Sequence, residues 1–171
     1  IMPYNNPDAA GYHALSTELL LKLANLPNVT ALKISTIDVS IIETMMLANK
    51  DLKILAGVDT VTVHAGLAGA IGGITGVGCI FPKASVTMQE YVTKGEWANA
   101  NKISQALNSL SYLDAQPLLM EYLKLAMGIH HNDVAGGLRT LGKKLTQQEI
   151  DDVQARYILA KERLEVLDLI S

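Results

Sequence analysis

The sequence predicts an α/β protein, with four parallel strands and three connecting helices over residues 1–82 and a wholly helical region over residues 83–171. Three observations carry that expectation. Through about residue 78, short apolar runs alternate with longer amphipathic stretches, the pattern of β/α units feeding a parallel sheet. From Pro82 onward the pattern turns helical. Between the two lies a glycine-rich run, from Val61 to Pro82, that contains no Asp, Glu, Lys or Arg.

The strand candidates are residues 1–4, 29–33, 52–56 and 73–75, each closed by polar or glycine-containing segments; the last has only three residues. Residues 15–26 carry apolar side chains at 19, 20, 23 and 26, the spacing of one helix face, with Ser16 placed to cap the start and Pro27 to stop it. Residues 41–48 read the same way, with Asp38 or Ser40 available as cap. Further helices are expected at 84–93, 97–113, 117–127 and 147–167. The last has the clearest start. Thr146 and Glu149 form a capping box, in which hydroxyl and carboxylate reciprocally satisfy free backbone N–H groups. Ile150, Val153, Tyr157, Ala160, Leu164 and Leu167 then recur at three- and four-residue steps, a stripe suited to packing against a neighbouring helix.

The uncharged run from Val61 to Pro82 is 22 residues long, enough to span a bilayer, and its Gly69 and Gly73 stand at the GxxxG spacing. Six glycines argue against one continuous helix, since each costs roughly 1 kcal/mol relative to alanine. The expectation is instead a buried helix over about 61–70, a short strand near Ile74 and a glycine-rich turn. Gly76 and Gly78 lead into Cys79, Ile80 and Phe81, so the dinucleotide fingerprint G-x-G-x-x-G is absent. A turn of this kind can bring backbone N–H groups close to an anion, or serve only close helix–strand packing.

Fourteen basic and seventeen acidic residues are interspersed to a net charge of −3, which is no nucleic-acid footprint. Aromatic residues make up only 5%, too few for a stacking platform along a single strand. The single cysteine, Cys79, has no internal disulfide partner, and with no secretory pattern at the start the expectation is a reducing cytoplasm. His13 and His64 stand apart, and the adjacent His130 and His131 lack the i, i+4 spacing of a helical metal pair, so no metal site is expected.

Lys33 ends an apolar strand and opens a polar turn of Ser35, Thr36 and Asp38. It reads either as an exposed strand-end charge or as a group pointing into a site mouth. Tyr4 ends the preceding strand, about one βαβ repeat earlier. Neighbouring strands lie about 4.8 Å apart, so a phenol and an amine meet at one end of the sheet. The pair has chemical sense. A lysine attacks a carbonyl as the free amine, and a neighbouring phenol can shuttle protons to the carbinolamine and to a substrate hydroxyl.

At these residues the sequence resembles the dihydrodipicolinate synthase / N-acetylneuraminate lyase family of Schiff-base, pyruvate-handling enzymes. The matching stretches are Tyr4-Asn5-Asn6-Pro7, Ala31-Leu32-Lys33, Leu55-Ala56-Gly57-Val58-Asp59 and Gly69-Ala70-Ile71-Gly72-Gly73-Ile74, in that order and spacing. The resemblance runs to about residue 165 and implies the C-terminal half of a (β/α)8 TIM barrel, strands 5 to 8, with a helical C-terminal extension. A whole barrel takes about 250 residues, more than this chain has. By the same resemblance Lys33 is the imine-forming lysine and Tyr4 the proton relay. Ser35, Gly57, Asp59, Ile74 and Thr75 border the substrate, no cofactor is needed, and a homo-oligomer is expected. The four earlier strands have no counterpart, so association with a missing N-terminal half is the other expectation.

Three departures bear on the substrate. Ala9 stands where dihydrodipicolinate synthases have an arginine that grips a substrate carboxylate, and Thr60 and Gly76 stand where sialic acid lyases have an acidic residue and a serine. The implied activity is therefore a lyase or aldolase acting on a smaller 2-keto-3-deoxy sugar acid, with the synthase and the sialic acid lyase as alternatives. A non-catalytic half barrel that only binds a partner is the reading from a different class.

Overall fold

The computed structural model describes residues 1–7, 11, 13–132 and 142–170. Four strands, β1 (Tyr4–Asn5), β2 (Ala31–Ile34), β3 (Lys53–Ala56) and β4 (Gly72–Gly73), form one parallel sheet in that order. The crossovers carry α1 (Thr17–Ala24), α2 (Ser40–Ala48) and α3 (Thr62–Leu67). The remaining helices are α4 (Pro82–Thr93), α5 (Trp97–Ser111), α6 (Leu119–His131) and α7 (Gln147–Val166).

Alternation decides which face of the sheet is covered. Leu32 and Ile34 of β2 and Ile54 and Ala56 of β3 are buried with Leu20, Ile42, Met45 and Ala65 of α1–α3, one core on one face. The intervening residues Tyr4, Ala31, Lys33, Lys53 and Leu55 therefore share the other face. None of these five is buried. Register aligns Tyr4 with Lys33, Lys33 with Leu55 and Leu55 with Gly72, so the two chemically active side chains lie in one row.

A second core joins α4–α7. Phe81, Ile103, Leu110, Leu113 and Leu164 are each at most 2% exposed, and the cluster also takes in Val63 of α3 and Val77. Phe81 stacks on Tyr157 at 5.6 Å and meets His130 edge-on at 5.0 Å. His130 is thus a packing residue. Burial, followed by the charges of His131 and Lys161, lowers its pKa from 6.5.

Local signals act as their chemistry dictates. The Ser16 hydroxyl accepts the Leu19 N–H and starts α1, and the Thr146–Glu149 box is complete at the start of α7. Val153, Tyr157, Ala160 and Leu164 of the expected stripe are buried. The α1 face differs from expectation: Leu20 and Ala24 are buried while Leu19 and Leu26 are exposed, and Leu26 falls beyond the end of the helix at Ala24. Neither Asp38 nor Ser40 is the cap of α2; Val39 holds that place, and Asp38 Oδ1 accepts the Ser40 N–H from just outside. α6 begins at Leu119 and continues to His131, ending where Asn132 adopts a left-handed φ of 49°.

The uncharged run breaks up much as its glycines require. A 3-10 turn at Asp59–Val61 leads into α3, β4 occupies Gly72–Gly73, and a second 3-10 turn at Val77–Cys79 precedes α4. The fourth strand lies one residue before its expected place, with Ile74 and Thr75 past its end. Among the described residues, no helix is long and apolar enough to cross a membrane.

Candidate active site

The C-terminal ends of the strands bring five residues together. Lys33 Nζ lies 4.1 Å from the centroid of the Tyr4 ring. The Tyr4 hydroxyl is 2.9 Å from Ser35 Oγ and accepts a hydrogen bond of 2.7 Å from Asn6 Nδ2. Ser35 Oγ also donates to the Gly57 carbonyl at 3.2 Å. A serine hydroxyl has one proton to give, so when it goes to Gly57 the Tyr4 phenol is the donor to Ser35. The result is a directed chain, from Asn6 amide to Tyr4 to Ser35 to the Gly57 carbonyl.

Gly57 is there for space. A Cβ at this position would collide with Ser35 Oγ and lie 3.1 Å from Lys33 Cε, so the turn after β3 touches both site residues only without a side chain. Gly76 has a comparable reason, since a Cβ there would come within 2.7 Å of Leu123 Cδ1 on α6. The helical region thus presses directly on the loop after β4.

Asp59 is placed differently from its neighbours in sequence. It is 6% exposed, and its Oδ2 accepts the Val77 N–H at 2.9 Å. Burial raises its pKa above 3.8, against the lowering effect of the neighbouring Thr75 and Asp114 side chains and of the Val77 and Gly76 amides. Asp114 lies on a 3-10 turn, Tyr112–Ala115, that follows α5, and its Oδ2 accepts the Asp59 backbone N–H at 2.6 Å. Burial, and then the charge of Asp59, pushes the Asp114 carboxyl up to about 7, while the Lys33 charge pulls it back. Sequence reading did not single out Asp114. It sits 55 residues from Asp59, and a polar residue at a helix end carries no signal of its own.

Ile74 and Thr75 lie to the other side of β3. With Leu55, Gly72 and Gly73 they line one wall of a groove of about 600 Å³, and Ser85, Met88 and Gln89 of α4 line the opposite wall. The structure therefore gathers Tyr4, Lys33, Ser35 and Gly57 in one connected cluster, sets Asp59 behind their turn and places Ile74 and Thr75 in the groove. Ala9, where the absent arginine would stand, lies outside the described residues. Among the described residues, no three His, Cys, Asp or Glu side chains gather in a way that could hold a metal ion.

Fold and site together define a parallel α/β protein whose polar groups converge at the C-terminal ends of its strands. The chain belongs to the dihydrodipicolinate synthetase family, whose model matches residues 1–156. A 4-hydroxy-tetrahydrodipicolinate synthase from Sulfurihydrogenibium sp. is 26% identical over 163 residues, covering 92% of this chain and 55% of that protein. Among solved structures, the 4-hydroxy-tetrahydrodipicolinate synthase of Methylacidiphilum fumariolicum SolV superposes with a TM-score of 0.85 at 20% identity, covering 98% of this chain and 56% of that one. The sialic acid aldolase of Ruminococcus gnavus gives 0.80 at 24% identity, covering 96% and 56%. The chain spans about half the length of the relatives it matches.

Proposed function

We propose that the chain carries the imine-forming half of a Schiff-base lyase or aldolase acting on a 2-oxo acid, and that it corresponds to strands 5 to 8 of a (β/α)8 barrel with its helical extension. The observation that carries this reading is the Lys33 amine seated over the Tyr4 ring, with the phenol hydrogen-bonded to Ser35.

In this reading the Lys33 amine adds to the ketone carbon of the substrate and water leaves, giving an iminium ion. The C3–C4 bond then breaks. Its electron pair moves to the iminium to form an enamine, and the C4 hydroxyl loses its proton into the Tyr4–Ser35 chain as the aldehyde departs. Protonation of the enamine at C3 and hydrolysis release pyruvate and the free lysine. The imine is the electron sink, so the chemistry requires no metal or cofactor. Ser35, Gly57 and Thr75 border the substrate in this reading, with Ile74 in the adjoining groove and the buried Asp59 supporting the turn from behind. A 2-keto-3-deoxy sugar acid is the favoured class because Ala9 supplies no cation for a second carboxylate.

Four more strands complete such a site. Among the described residues the sheet pairs no strand beyond β1 or β4, and its Tyr4–Lys33 face is not buried, which suits association with the N-terminal half of a barrel or assembly into an oligomer. A second reading, dihydrodipicolinate synthase activity, is favoured by its similarity to 4-hydroxy-tetrahydrodipicolinate synthases.

Borohydride reduction with pyruvate, applied to the intact protein carrying these residues, tests the proposal. The expected result is one pyruvate-derived mass on a peptide containing Lys33. No adduct, or an adduct on another lysine, overturns it. Pyruvate release from a panel of 2-keto-3-deoxy acids, run beside the synthase assay, separates the two substrate readings.

A further inference from the structure

The helical region contributes a charged group to the edge of the site, and its connections can be followed atom by atom. Asp114 Oδ2 takes the Asp59 N–H, two residues beyond Gly57. The Gly57 carbonyl takes the Ser35 hydroxyl, and Ser35 Oγ meets the Tyr4 hydroxyl. The Asp59 and Asp114 carboxyls also act on each other electrostatically, and burial raises the pKa of both.

Resting on the imine reading above, we propose that Asp114 is a positioning residue for the Lys33 site: its Oδ2 takes the Asp59 N–H and pins the turn at Gly57–Asp59, so that the Ser35 and Tyr4 hydroxyls stay aligned beside the amine. Asp114 touches neither Lys33's imine carbon nor any reacting atom in this role. It acts through the turn.

Its surroundings support a built contact over a chance approach. The segment carrying Asp114 is fixed by Leu113, which is 1% exposed in the second core, and by the Gln116 N–H donated to the Leu113 carbonyl. Asp59 is held from the opposite side by the Val77 N–H and Thr75. The groups that act on the pair are therefore the two carboxyls themselves, Thr75, the Gly76 and Val77 amides, and the charge of Lys33. Ionisation of both carboxyls puts two negative charges close together behind the turn. Repulsion then works against the alignment that Gly57 transmits.

The test compares wild type, Asp114→Asn and Asp114→Ala in the intact protein carrying these residues. Asparagine keeps an oxygen for the Asp59 N–H but cannot ionise, whereas alanine keeps neither. Borohydride trapping of pyruvate at Lys33 is followed across neutral pH, and the Asp59 and Asp114 side-chain carboxyl carbons are titrated by NMR. Wild-type trapping is expected to show a step near neutral pH that Asp114→Asn lacks, and Asp114→Ala to trap about ten- to a hundredfold more slowly. The Asp114 carboxyl carbon is expected to titrate near pH 7 and the Asp59 carbon above its ordinary value.

If wild type forms no Lys33 adduct while Asp114 titrates near pH 7, the imine reading falls and with it the positioning role, leaving Asp114 only as a support of the turn. If the adduct forms but both carboxyls titrate near the ordinary value, or all three proteins trap at one rate with one pH profile, the positioning role is overturned. Should the alanine variant fail to fold, the asparagine profile decides.

Discussion

Lys33 and Tyr4 are direct partners across the β1–β2 ladder, and the lysine ammonium rests 4.1 Å from the centroid of the tyrosine ring. Because register and stacking agree, the ring positions the amine whatever the phenol does chemically. A cation over an exposed aromatic face is worth about 0.5–1 kcal/mol, and Tyr4 is 42% exposed.

Tyr4→Phe separates the two contributions. The ring remains, while the links to Ser35 and Asn6 are lost. Borohydride labelling of Lys33 is expected to persist, and the rate of pyruvate release to fall by about 10²- to 10⁴-fold, the usual contribution of a positioned proton-transfer group. Equal losses in labelling and in release would show that the ring, and not the hydroxyl, is what matters.

Gly57→Ala introduces a methyl group that has nowhere to go. It meets Ser35 Oγ and crowds Lys33 Cε. Overpacking of this kind costs about 1–3 kcal/mol, so urea unfolding is expected to shift to lower denaturant. Labelling at Lys33 is expected to be lost at urea concentrations where the variant is still folded by circular dichroism.

Phe81→Ala removes a side chain with no exposed surface from the stack with Tyr157 and His130. The expected cost is about 3–5 kcal/mol, measured by urea unfolding. Amide exchange in α7 is expected to rise more than in α1, because Phe81 belongs to the second core and Leu20 to the first.

The Asp59 and Asp114 carboxyls give stability a definite dependence on pH. Both have folded-state pKa values above 3.8, Asp114 at about 7, so between those values the folded chain binds protons that the unfolded chain has released. Stability is therefore expected to fall as pH rises through that window. Asp114→Asn should flatten the decline, as read from urea midpoints at a series of pH values. His130 works in the opposite direction: its lowered pKa costs stability as pH drops below 6.5. Subtracting the asparagine profile from wild type isolates the aspartate.

The parts of the fold governed by local chemistry were legible in the sequence. Alternating apolar runs placed β2 and β3 to within two residues at either end, and Ser16 and the Thr146–Glu149 box marked real helix starts. The neighbouring positions of Tyr4 and Lys33 followed from one β/α repeat, and the register of β1 on β2 realises them. What could not be read depends on packing between distant segments. Asp114 reaches Asp59 only because α5 lays the second core against the loops of the sheet, and no spacing within Tyr112-Leu113-Asp114 announces that. The fourth strand fell one residue from its expected place for a related reason. Ile74 looked like a strand residue by composition, but the ladder is closed by the two glycines before it.

That strand also determines what its free side can specify. β4 is Gly72 and Gly73, so a chain laid along its open edge meets N–H and C=O groups and no side chain to pair with. Most strand pairs are set in stagger by the side chains that face one another across the ladder. Here the edge dictates hydrogen bonding but leaves the slide along its length undetermined, and only the groove walls, Leu55 on one side and Met88 and Gln89 on the other, are available to stop it. Alignment at this seam is therefore a matter of shape against α4, decided one layer away from the backbone that makes the bonds.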